Sequence, residues 1–400
     1  MQVRCERILP SRRNALVAAG CAAVAWASGA RAQAISSAPP LRIGVSLGVS
    51  GAYRNIARFQ SRGYALWAKH VNARGGILGR RVEMVIRDDG SDAAAAKKIY
   101  ETFIEQDKLD FVFGPYSSPV TAAVAPVVDR HGYPMLAAGA SSDELWRQRY
   151  TNVFGVYASA RRYAIGFLAV LAEAGLERVA IISVDDVFSS SAAEGAQRWA
   201  ADYRLEVSLF HVEPKDKPDW PRALRRARDS GAQALLLAGH FDEALQVRRT
   251  LKAIGWSPAA YYATVGPVLP QYQETLGADA NGTFSTSQWE AREDLRHPGS
   301  LEFLREYRAA YAETPSYHAA SAYAAGQILE QAILRAGSAE RDAVRAALYA
   351  LDTRNVIGRF AVDRTGLQAK MFPLIVQWQD NRREIVWPVE LRTAAPVFVH

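Results

Sequence analysis

The stretch FVFGPYSSPVTAAVAP, residues 111–126, sets a short apolar run close to a helical one with only a few residues between them. Gly114 and Pro115 end the apolar run, and Ser117 and Ser118 follow where the helix is predicted to begin. A short apolar run without alternation is typical of a strand buried on both faces of a parallel sheet. The first N–H groups of a helix lack partners and carry partial positive charge, so this corner favours an anion.

Strand-like and helical runs alternate along most of the chain in the same way. The predicted strands are residues 41–47, 82–89, 111–114, 134–139, 178–186, 205–212, 234–239 and 259–265. The predicted helices are residues 57–73, 91–107 (capped by Ser91 or Asp92), 119–131, 190–203, 219–230 and 241–255. Such alternation indicates the α/β class with parallel sheets, and the units are too many for one small domain. We therefore predict two α/β lobes lying side by side.

The C-terminal part of the chain departs from this rhythm. Residues 300–335 hold two long helical runs and residues 339–351 hold a third, whereas residues 357–363 and 371–380 alternate like antiparallel strands. No low-complexity linker separates this section from the rest. We therefore expect the chain to cross between the two lobes more than once.

The first 32 residues have the character of a secretory signal peptide. The segment opens with several arginines, an uncharged Ala-rich run follows, and residues 30–32 form a small-x-small site. This pattern predicts export with cleavage near Ala32 or Ala34, which places the mature protein in the periplasm. A membrane anchor is disfavoured because the apolar run is short. Residues 11–13, Ser-Arg-Arg, leave open whether export uses the Sec or the twin-arginine route.

Removal of this segment changes what the composition allows. Both cysteines, Cys5 and Cys21, lie within it, so the mature chain has neither a disulfide nor a thiolate metal ligand. The full chain has 48 basic and 41 acidic residues, and residues 1–32 contain five arginines and one glutamate. The net charge therefore falls from +7 to +3, which gives no basis for nucleic-acid binding.

Four stretches resemble the solute-binding proteins of branched-chain amino-acid ABC importers, which are type I periplasmic binding proteins. They are IGVSLGVSGAY (43–53), VNARGGILGRRVEMVIRDDGSD (71–92), FGPYSSPVTAAVAP (113–126) and PMLAAGASSDEL (134–145). The likeness extends from Arg42 to about Pro388, and its specific part is the Asn-Ala-x-Gly-Gly-x-x-Gly-Arg run with the Asp-Asp pair that follows.

The resemblance implies two lobes that close on a ligand and are joined by three crossover strands, near residues 155–160, 284–288 and 353–360. On this basis we place lobe 1 at residues 41–157 and 286–354, lobe 2 at residues 158–285 and 355–390, and a tail at residues 391–400. The resemblance also implies an ABC permease and ATPase of the inner membrane as partners, no cofactor and no catalytic activity. We expect a monomer.

Two strand ends of lobe 1 carry hydroxyl groups where a ligand carboxylate would bind. Ser117 and Ser118 follow one predicted strand, and Ser141 and Ser142 follow the next. In open parallel sheets, ligands bind beyond the carboxyl ends of the strands, where helix N-termini point. Hydroxyls add hydrogen-bond donors there without adding formal charge. The alternative is that these serines only cap their own helices, a common role of serine.

The family resemblance assigns individual roles at the same two corners. In the family, the positions matched by Ser118 and Ser141 hold the ligand carboxylate. The positions matched by Gly139 and Ala140 supply backbone contacts, and a glycine would let the backbone come close to the ligand.

Lobe 2 is expected to close over the ligand with residues from its own strand ends. In the family an aromatic residue follows the first of these strands, matched here by Phe188, and another lies near Phe241. Amino-acid binders also present an acidic residue that holds the ammonium group, but the matching stretch around Val265 contains no acid. Either Asp186 or Asp242 substitutes for it, or the ligand has no ammonium group. We favour the second reading, which allows aromatic or aliphatic carboxylates, or amides.

Four further residues are weaker candidates, each with a structural alternative. Tyr53 follows the first strand and either roofs the cleft or packs in the core. His240 is either a ligand contact or a hydrogen-bonded histidine at a strand end. Tyr157 and Trp289 lie near predicted crossings and line either the pocket or the hinge.

Two other functions are compatible with the sequence. A hydrolase using Ser118 and His240 is disfavoured, because the stretch from Gly114 to Ser118 is not a G-x-S-x-G elbow, no G-x-G-x-x-G follows a first strand and the seven histidines show no metal spacing. A ligand-sensing receptor of the same fold, which would signal to a protein partner, is the second alternative to transport.

Overall fold

The computed structural model describes residues 38–294 and 297–399, most of which belong to two open sheets and the helices that flank them. The predicted signal peptide, residues 1–32, lies outside the described residues. None of the helices in this described part of the chain combines the length and apolar character needed to cross a bilayer.

The first sheet has five parallel strands in the order β2-β1-β3-β4-β5. The strands are β1 (Leu41–Leu47), β2 (Val82–Asp88), β3 (Phe111–Phe113), β4 (Met135–Ala137) and β5 (Val153–Gly155). The helices between them are α1 (Arg54–Ala73), α2 (Ala93–Glu105), α3 (Ser118–Arg130) and α4 (Glu144–Arg147). β3, β4 and β5 are buried along their whole length, as expected for apolar runs between two helical layers.

The second sheet has seven strands in the order β14-β13-β10-β9-β8-β6-β7. The strands are β6 (Arg178–Val184), β7 (Glu206–Glu213), β8 (Ala234–Ala238), β9 (Ala260–Ala263), β10 (Thr283–Ser287), β13 (Leu374–Gln379) and β14 (Arg382–Trp387). The helices that flank them are α5 (Ile165–Glu173), α6 (Val187–Asp202), α7 (Trp220–Asp229), α8 (Phe241–Ala253) and α9 (Pro270–Leu276). β6 to β10 pair in parallel, and β13 pairs antiparallel with both β10 and β14.

Between β10 and β13 the chain returns to the first sheet. This section contains α10 (Ser300–Tyr311), α11 (Tyr317–Ala336), α12 (Arg341–Ala350), β11 (Thr353–Asn355) and β12 (Gly358–Phe360). α11 packs closely on α1, and two glycines make this possible. A Cβ at Gly63 would lie 2.2 Å from the carbonyl oxygen of Ala319, and one at Gly326 would lie 2.1 Å from the Trp67 ring. We refer below to the first sheet with its helices as lobe 1 and to the second as lobe 2.

The structure confirms the predicted α/β class with mostly parallel sheets. Both C-terminal runs predicted to be antiparallel contain antiparallel strands: residues 358–360 pair with residues 353–355 in a separate ribbon, and residues 374–379 extend the second sheet. Alternation in the sequence indicates an antiparallel strand but does not identify its partner. The partner of β13 is β10, about ninety residues earlier in the chain. The lobe boundaries given above stay a prediction.

Candidate functional site

The two serine corners of lobe 1 are joined to each other at the ends of β3 and β4. The Ser118 hydroxyl oxygen accepts the backbone N–H of Ser141 at 3.0 Å and that of Ser142 at 3.1 Å. Ser118 and Ser141 are both 2% exposed. The sequence placed these residues on neighbouring strand ends, and the structure brings them into direct contact.

Three hydroxyl groups at this junction retain a hydrogen for a further acceptor. A serine hydroxyl has one hydrogen to donate and two lone pairs. Ser118 accepts two N–H groups, and Ser141 accepts the hydroxyl of Tyr163 at 3.0 Å. The Ser117 oxygen is buried without any partner among the described residues. All three O–H groups can therefore be donated to one anion.

The capping alternative does not describe these serines. Ser117 occupies the N-cap position of α3, but its side chain makes no capping hydrogen bond. Ser118 bonds to the other corner, and α4 has Asp143 at its N-cap. One expectation needs correction: the second corner leads only into the four-residue α4, so of these two corners only the first offers the N-terminus of a long helix to an anion.

Gly139 lies on the cavity wall, where its expected backbone contact with a ligand stays a prediction, and it also allows the two corners to pack together. A Cβ at this position would lie 2.7 Å from the carbonyl oxygen of Pro115 and 3.0 Å from Cα of Tyr116. The glycine is therefore required by the contact between the two corners, and its place on the cavity wall is a consequence of that contact. Ala140 is buried but does not line the cavity.

A small closed cavity of about 10 Å³ lies where the corners of the two lobes face each other. It is lined by Tyr116, Ser117, Ser118, Gly139, Ser141, Tyr157, Tyr163, Phe188, His240, Val265 and Tyr317. This space holds no more than about one water molecule. The lobes are held together by the Ser142 hydroxyl, which lies 2.7 Å from the Val187 carbonyl oxygen and 2.8 Å from the Ser191 hydroxyl.

On the lobe 2 side, His240 and Asp186 form a buried ion pair. Nε2 of His240 lies 3.3 Å from a carboxylate oxygen of Asp186, and Nδ1 lies 3.4 Å from the hydroxyl of Tyr116 in lobe 1. Burial opposes both charges, but the attraction between them prevails. The pKa of Asp186 is therefore held well below its usual range and the pKa of His240 is raised.

Asp186 is not available to hold a ligand ammonium group. Its carboxylate also caps α6 by accepting the backbone N–H groups of Phe188 at 2.9 Å and Ser189 at 3.0 Å. Asp242 is exposed in the first turn of α8 and does not line the cavity. Within the described residues, no carboxylate lies on the cavity wall.

The remaining predicted residues divide between the cavity and the core. Phe188, His240 and Tyr157 line the cavity. Tyr53 lies one layer behind, with its ring centroid 5.1 Å from that of Tyr116 and 5.7 Å from that of His240.

Two of the predicted residues have structural roles. Phe241 begins α8 and is buried away from the cavity. Trp289 is a core residue whose ring N–H donates to the Ser300 hydroxyl.

Sequence reasoning missed three of the aromatic residues on the cavity wall. Tyr116 immediately precedes Ser117 and could have been found from its position in the corner. Tyr163 follows the first crossing and Tyr317 begins α11, so both reach the cavity only through the tertiary fold. Gln288 was also missed: its side-chain oxygen accepts the Ala158 N–H at 3.1 Å and so links two crossing segments.

The geometry of His240 does not favour a hydrolase that uses Ser118 and His240. Both ring nitrogens of His240 face groups other than Ser118, namely Asp186 and Tyr116. No set of three or more His, Cys, Asp or Glu side chains within residues 38–294 and 297–399 is arranged to hold a metal ion. A larger hollow of about 730 Å³ lies at the surface around Trp146 and Arg364; its lining includes Asp143, next to the second corner, but none of the corner serines. Its size reflects an open groove, so we assign the site to the enclosed cavity.

The chain is similar to known proteins over most of its length. The model of the family described as "Periplasmic binding protein" matches residues 40–383. A Brucella melitensis protein described as "Leu/Ile/Val-binding protein homolog 7" is 23% identical over 375 residues, which are 89% of this chain and 94% of that protein.

Solved structures have the same fold. The leucine binding protein LivK of Thermotoga maritima superimposes with a TM-score of 0.78 at 20% identity, over 86% of this chain and 97% of that one. An ABC transporter solute binding protein of R. palustris in complex with benzoate has a TM-score of 0.75 at 18% identity, over 90% and 97%. The expected type I binding-protein fold is thus confirmed, and the chain belongs to the periplasmic binding protein family.

Proposed function

We propose that this protein is the extracytoplasmic solute-binding component of an ABC importer, and that it captures a small carboxylate-bearing solute by closure of its two lobes. The observation that carries the proposal is the group of three serine O–H donors, from Ser117, Ser118 and Ser141, on the wall of a cavity between the lobes. Membership of a family of binding proteins supports a binding role over an enzymatic one.

The carboxylate contacts alone are too weak for tight capture. A hydrogen bond to a charged group contributes about 1.5–3 kcal/mol, and micromolar binding needs about 8 kcal/mol on top of the lost freedom of the solute. The rest has to come from burying an apolar part of the solute against the aromatic walls. Phe188 and Tyr317, on opposite sides of the cavity, are placed to do this.

Binding also requires the lobes to open. A cavity of about 10 Å³ cannot accept a solute, whereas sites for small molecules are typically about 300–1,000 Å³. The Ser142 contacts with Val187 and Ser191 therefore break on opening and re-form on closure, which excludes water from the bound carboxylate.

The lining favours a solute without an ammonium group. Asp186 is committed to His240 and to the α6 N-terminus, and no carboxylate of the described residues reaches the cavity. Five aromatic rings line the cavity, from Tyr116, Tyr157, Tyr163, Phe188 and Tyr317. Among the similar structures, the R. palustris protein carries benzoate, which is a carboxylate of this kind.

The transport role brings its own partners. An inner-membrane permease and ATPase would receive the closed, loaded protein on the periplasmic side. The arginine-rich start of the chain followed by an Ala-rich run supports export by a signal peptide. The protein is expected to act as a monomer and without a cofactor.

A thermal-shift screen followed by calorimetric titration tests the proposal. Ligand at about one hundred times its Kd stabilises a protein by about 2.7 kcal/mol, so a true ligand gives a clear shift. We expect a shift with aromatic or aliphatic carboxylates, and a loss of most of it in the Ser117→Ala/Ser141→Ala double variant. Ser61→Ala, which removes an exposed hydroxyl on α1, is the matched control. An unchanged shift in the double variant would contradict the carboxylate site.

A further inference from the structure

A group of buried polar atoms behind the aromatic wall of lobe 1 has no partner in hydrogen-bond geometry among the residues that the structure describes. The atoms are the hydroxyls of Tyr64, Tyr157 and Ser321 and Nε2 of His318, and we call these four residues the floor cluster. None of the four residues is more than 2% exposed. The hydroxyls of Tyr157 and Ser321 are close enough to interact with each other. Nearly all buried polar groups in folded proteins are hydrogen-bonded, so the hydrogen-bonding capacity that remains in this region indicates a missing partner.

One residue of the floor cluster lies on the wall of the proposed binding cavity, and the other three do not line it. Tyr157 belongs to both, since its side chain lines the cavity and its hydroxyl is part of the floor cluster. The His318 ring stacks on Tyr317 with centroids 4.0 Å apart, and it lies 5.8 Å from the Tyr116 ring and 6.4 Å from the Tyr157 ring. His318 is therefore in the layer directly behind three of the cavity's aromatic residues.

The floor cluster is polar but uncharged. Two phenols, one aliphatic hydroxyl and one imidazole make it up, and burial lowers the pKa of His318 to about 3. The imidazole is accordingly neutral near pH 7, with one nitrogen that donates and one that accepts. Such a set suits a hydroxyl or carboxamide, which also donates and accepts, and it does not suit a second charge.

We propose that the floor cluster binds the uncharged polar end of a solute whose carboxylate is held by Ser117, Ser118 and Ser141. The solute class is thus a carboxylate with a hydroxyl or carboxamide at its far end. This inference rests on the proposed function and adds the second half of the recognition. Its alternative is that buried water satisfies the four atoms and no part of the solute reaches them.

Calorimetric titration with matched pairs of solutes separates these two outcomes. The pairs are benzoate with 4-hydroxybenzoate, phenylacetate with 4-hydroxyphenylacetate, and pentanoate with 5-hydroxypentanoate. We expect the hydroxylated member of at least one pair to bind about tenfold tighter or more, because a site built to bond a hydroxyl leaves its own polar groups unpaired with the analogue that lacks it. Equal affinities within every pair would mean buried water only and would overturn the inference.

Two variants keep the inference distinct from the proposed function. Ser321→Ala removes one hydroxyl of the floor cluster and should reduce the ratio of affinities between the hydroxylated solute and its partner in the pair. Ser117→Ala should weaken both members alike and leave their ratio intact. A Ser321→Ala protein that melts like the wild type and keeps the full preference would count against the floor cluster. If neither member of any pair binds the wild type, the proposed function itself is contradicted and the inference falls with it.

Discussion

On the lobe 2 wall of the cleft, Nε2 of His240 lies 3.3 Å from the carboxylate of Asp186, whereas His318, behind the lobe 1 wall, lies among aromatic rings. The pKa values of the two histidines therefore shift in opposite directions: burial lowers that of His318, whereas attraction to Asp186 outweighs burial and raises that of His240. In lobe 2 the carboxylate of Asp186 interacts with His240, whereas in lobe 1 serine hydroxyls keep a hydrogen to donate to a solute. We therefore propose that the polar contacts to the solute come from lobe 1, and that lobe 2 closes over it with side chains such as Phe188.

The largest effect should follow from breaking the ion pair of lobe 2. Asp186→Ala leaves the buried His240 without its carboxylate partner and removes the cap of α6. Loss of one partner of a buried ion pair costs about 3–5 kcal/mol. Asp92→Ala is the matched control, because Asp92 caps α2 in an exposed position and its removal should cost only about 1 kcal/mol. Urea denaturation of both variants measures the difference. Equal losses would show that Asp186 is only a cap.

Acid should destabilise the protein through His318. Its pKa falls from an ordinary 6.5 to about 3, so the unfolded chain takes up a proton at a pH where the folded chain does not. The stability that His318 contributes is fully present above about pH 6.5 and declines as the pH falls toward its folded value. Between about pH 7.5 and pH 5 we expect a loss of about 2 kcal/mol that His318→Phe abolishes, measured by denaturation at each pH. Identical pH profiles would contradict a neutral, buried His318.

His240 should show the opposite pH dependence. Its folded pKa is raised, so its contribution is fully present below the ordinary value of 6.5 and is lost as the pH rises through the raised value. The charged groups that act on it are Asp186 and Glu243, which favour the proton, and Lys215, which opposes it. His240→Phe should therefore cost more stability at about pH 6 than at about pH 9. His131→Phe, at the end of α3, controls for the general effect of removing a histidine.

The smallest effect should come from the Ser142 hydroxyl of lobe 1, which contacts lobe 2. Ser142→Ala removes the hydrogen bonds to Val187 and Ser191, which exist only when the lobes are closed. A loss of about 1 kcal/mol from the closed state should weaken solute binding about fivefold. Ser208→Ala breaks a comparable hydroxyl pair with Ser230 inside lobe 2 and should leave affinity as it is. Calorimetry on both variants, with small-angle scattering of the free proteins, would reveal whether Ser142 acts on closure.

Much of the fold was predictable because its signals are local. Neighbouring residues alone reveal the apolar runs at β3 and β4 and the end of the first run at Gly114 and Pro115. The serine corners were found for the same reason, since parallel strands bring their carboxyl ends to one edge of the sheet.

The rest of the site depends on contacts between residues that are far apart in the sequence, and no local sequence pattern predicts these contacts. His240 meets an aspartate more than fifty residues away, and that contact removes Asp186 from the list of possible ammonium partners. Tyr163, Tyr317 and His318 come from the first crossing and from α11, whose helical spacing looks like ordinary core. The role of Gly139 required the position of the Pro115 backbone, which only the structure supplies.

A crystal structure with the tightest-binding solute of the screen tests the central claim most directly. We predict a carboxylate between the lobes with its oxygens about 2.5–2.7 Å from the hydroxyls of Ser117, Ser118 and Ser141. A carboxylate bound instead to His240 and the lobe 2 wall, or a solute in the surface hollow near Arg364, would contradict the account.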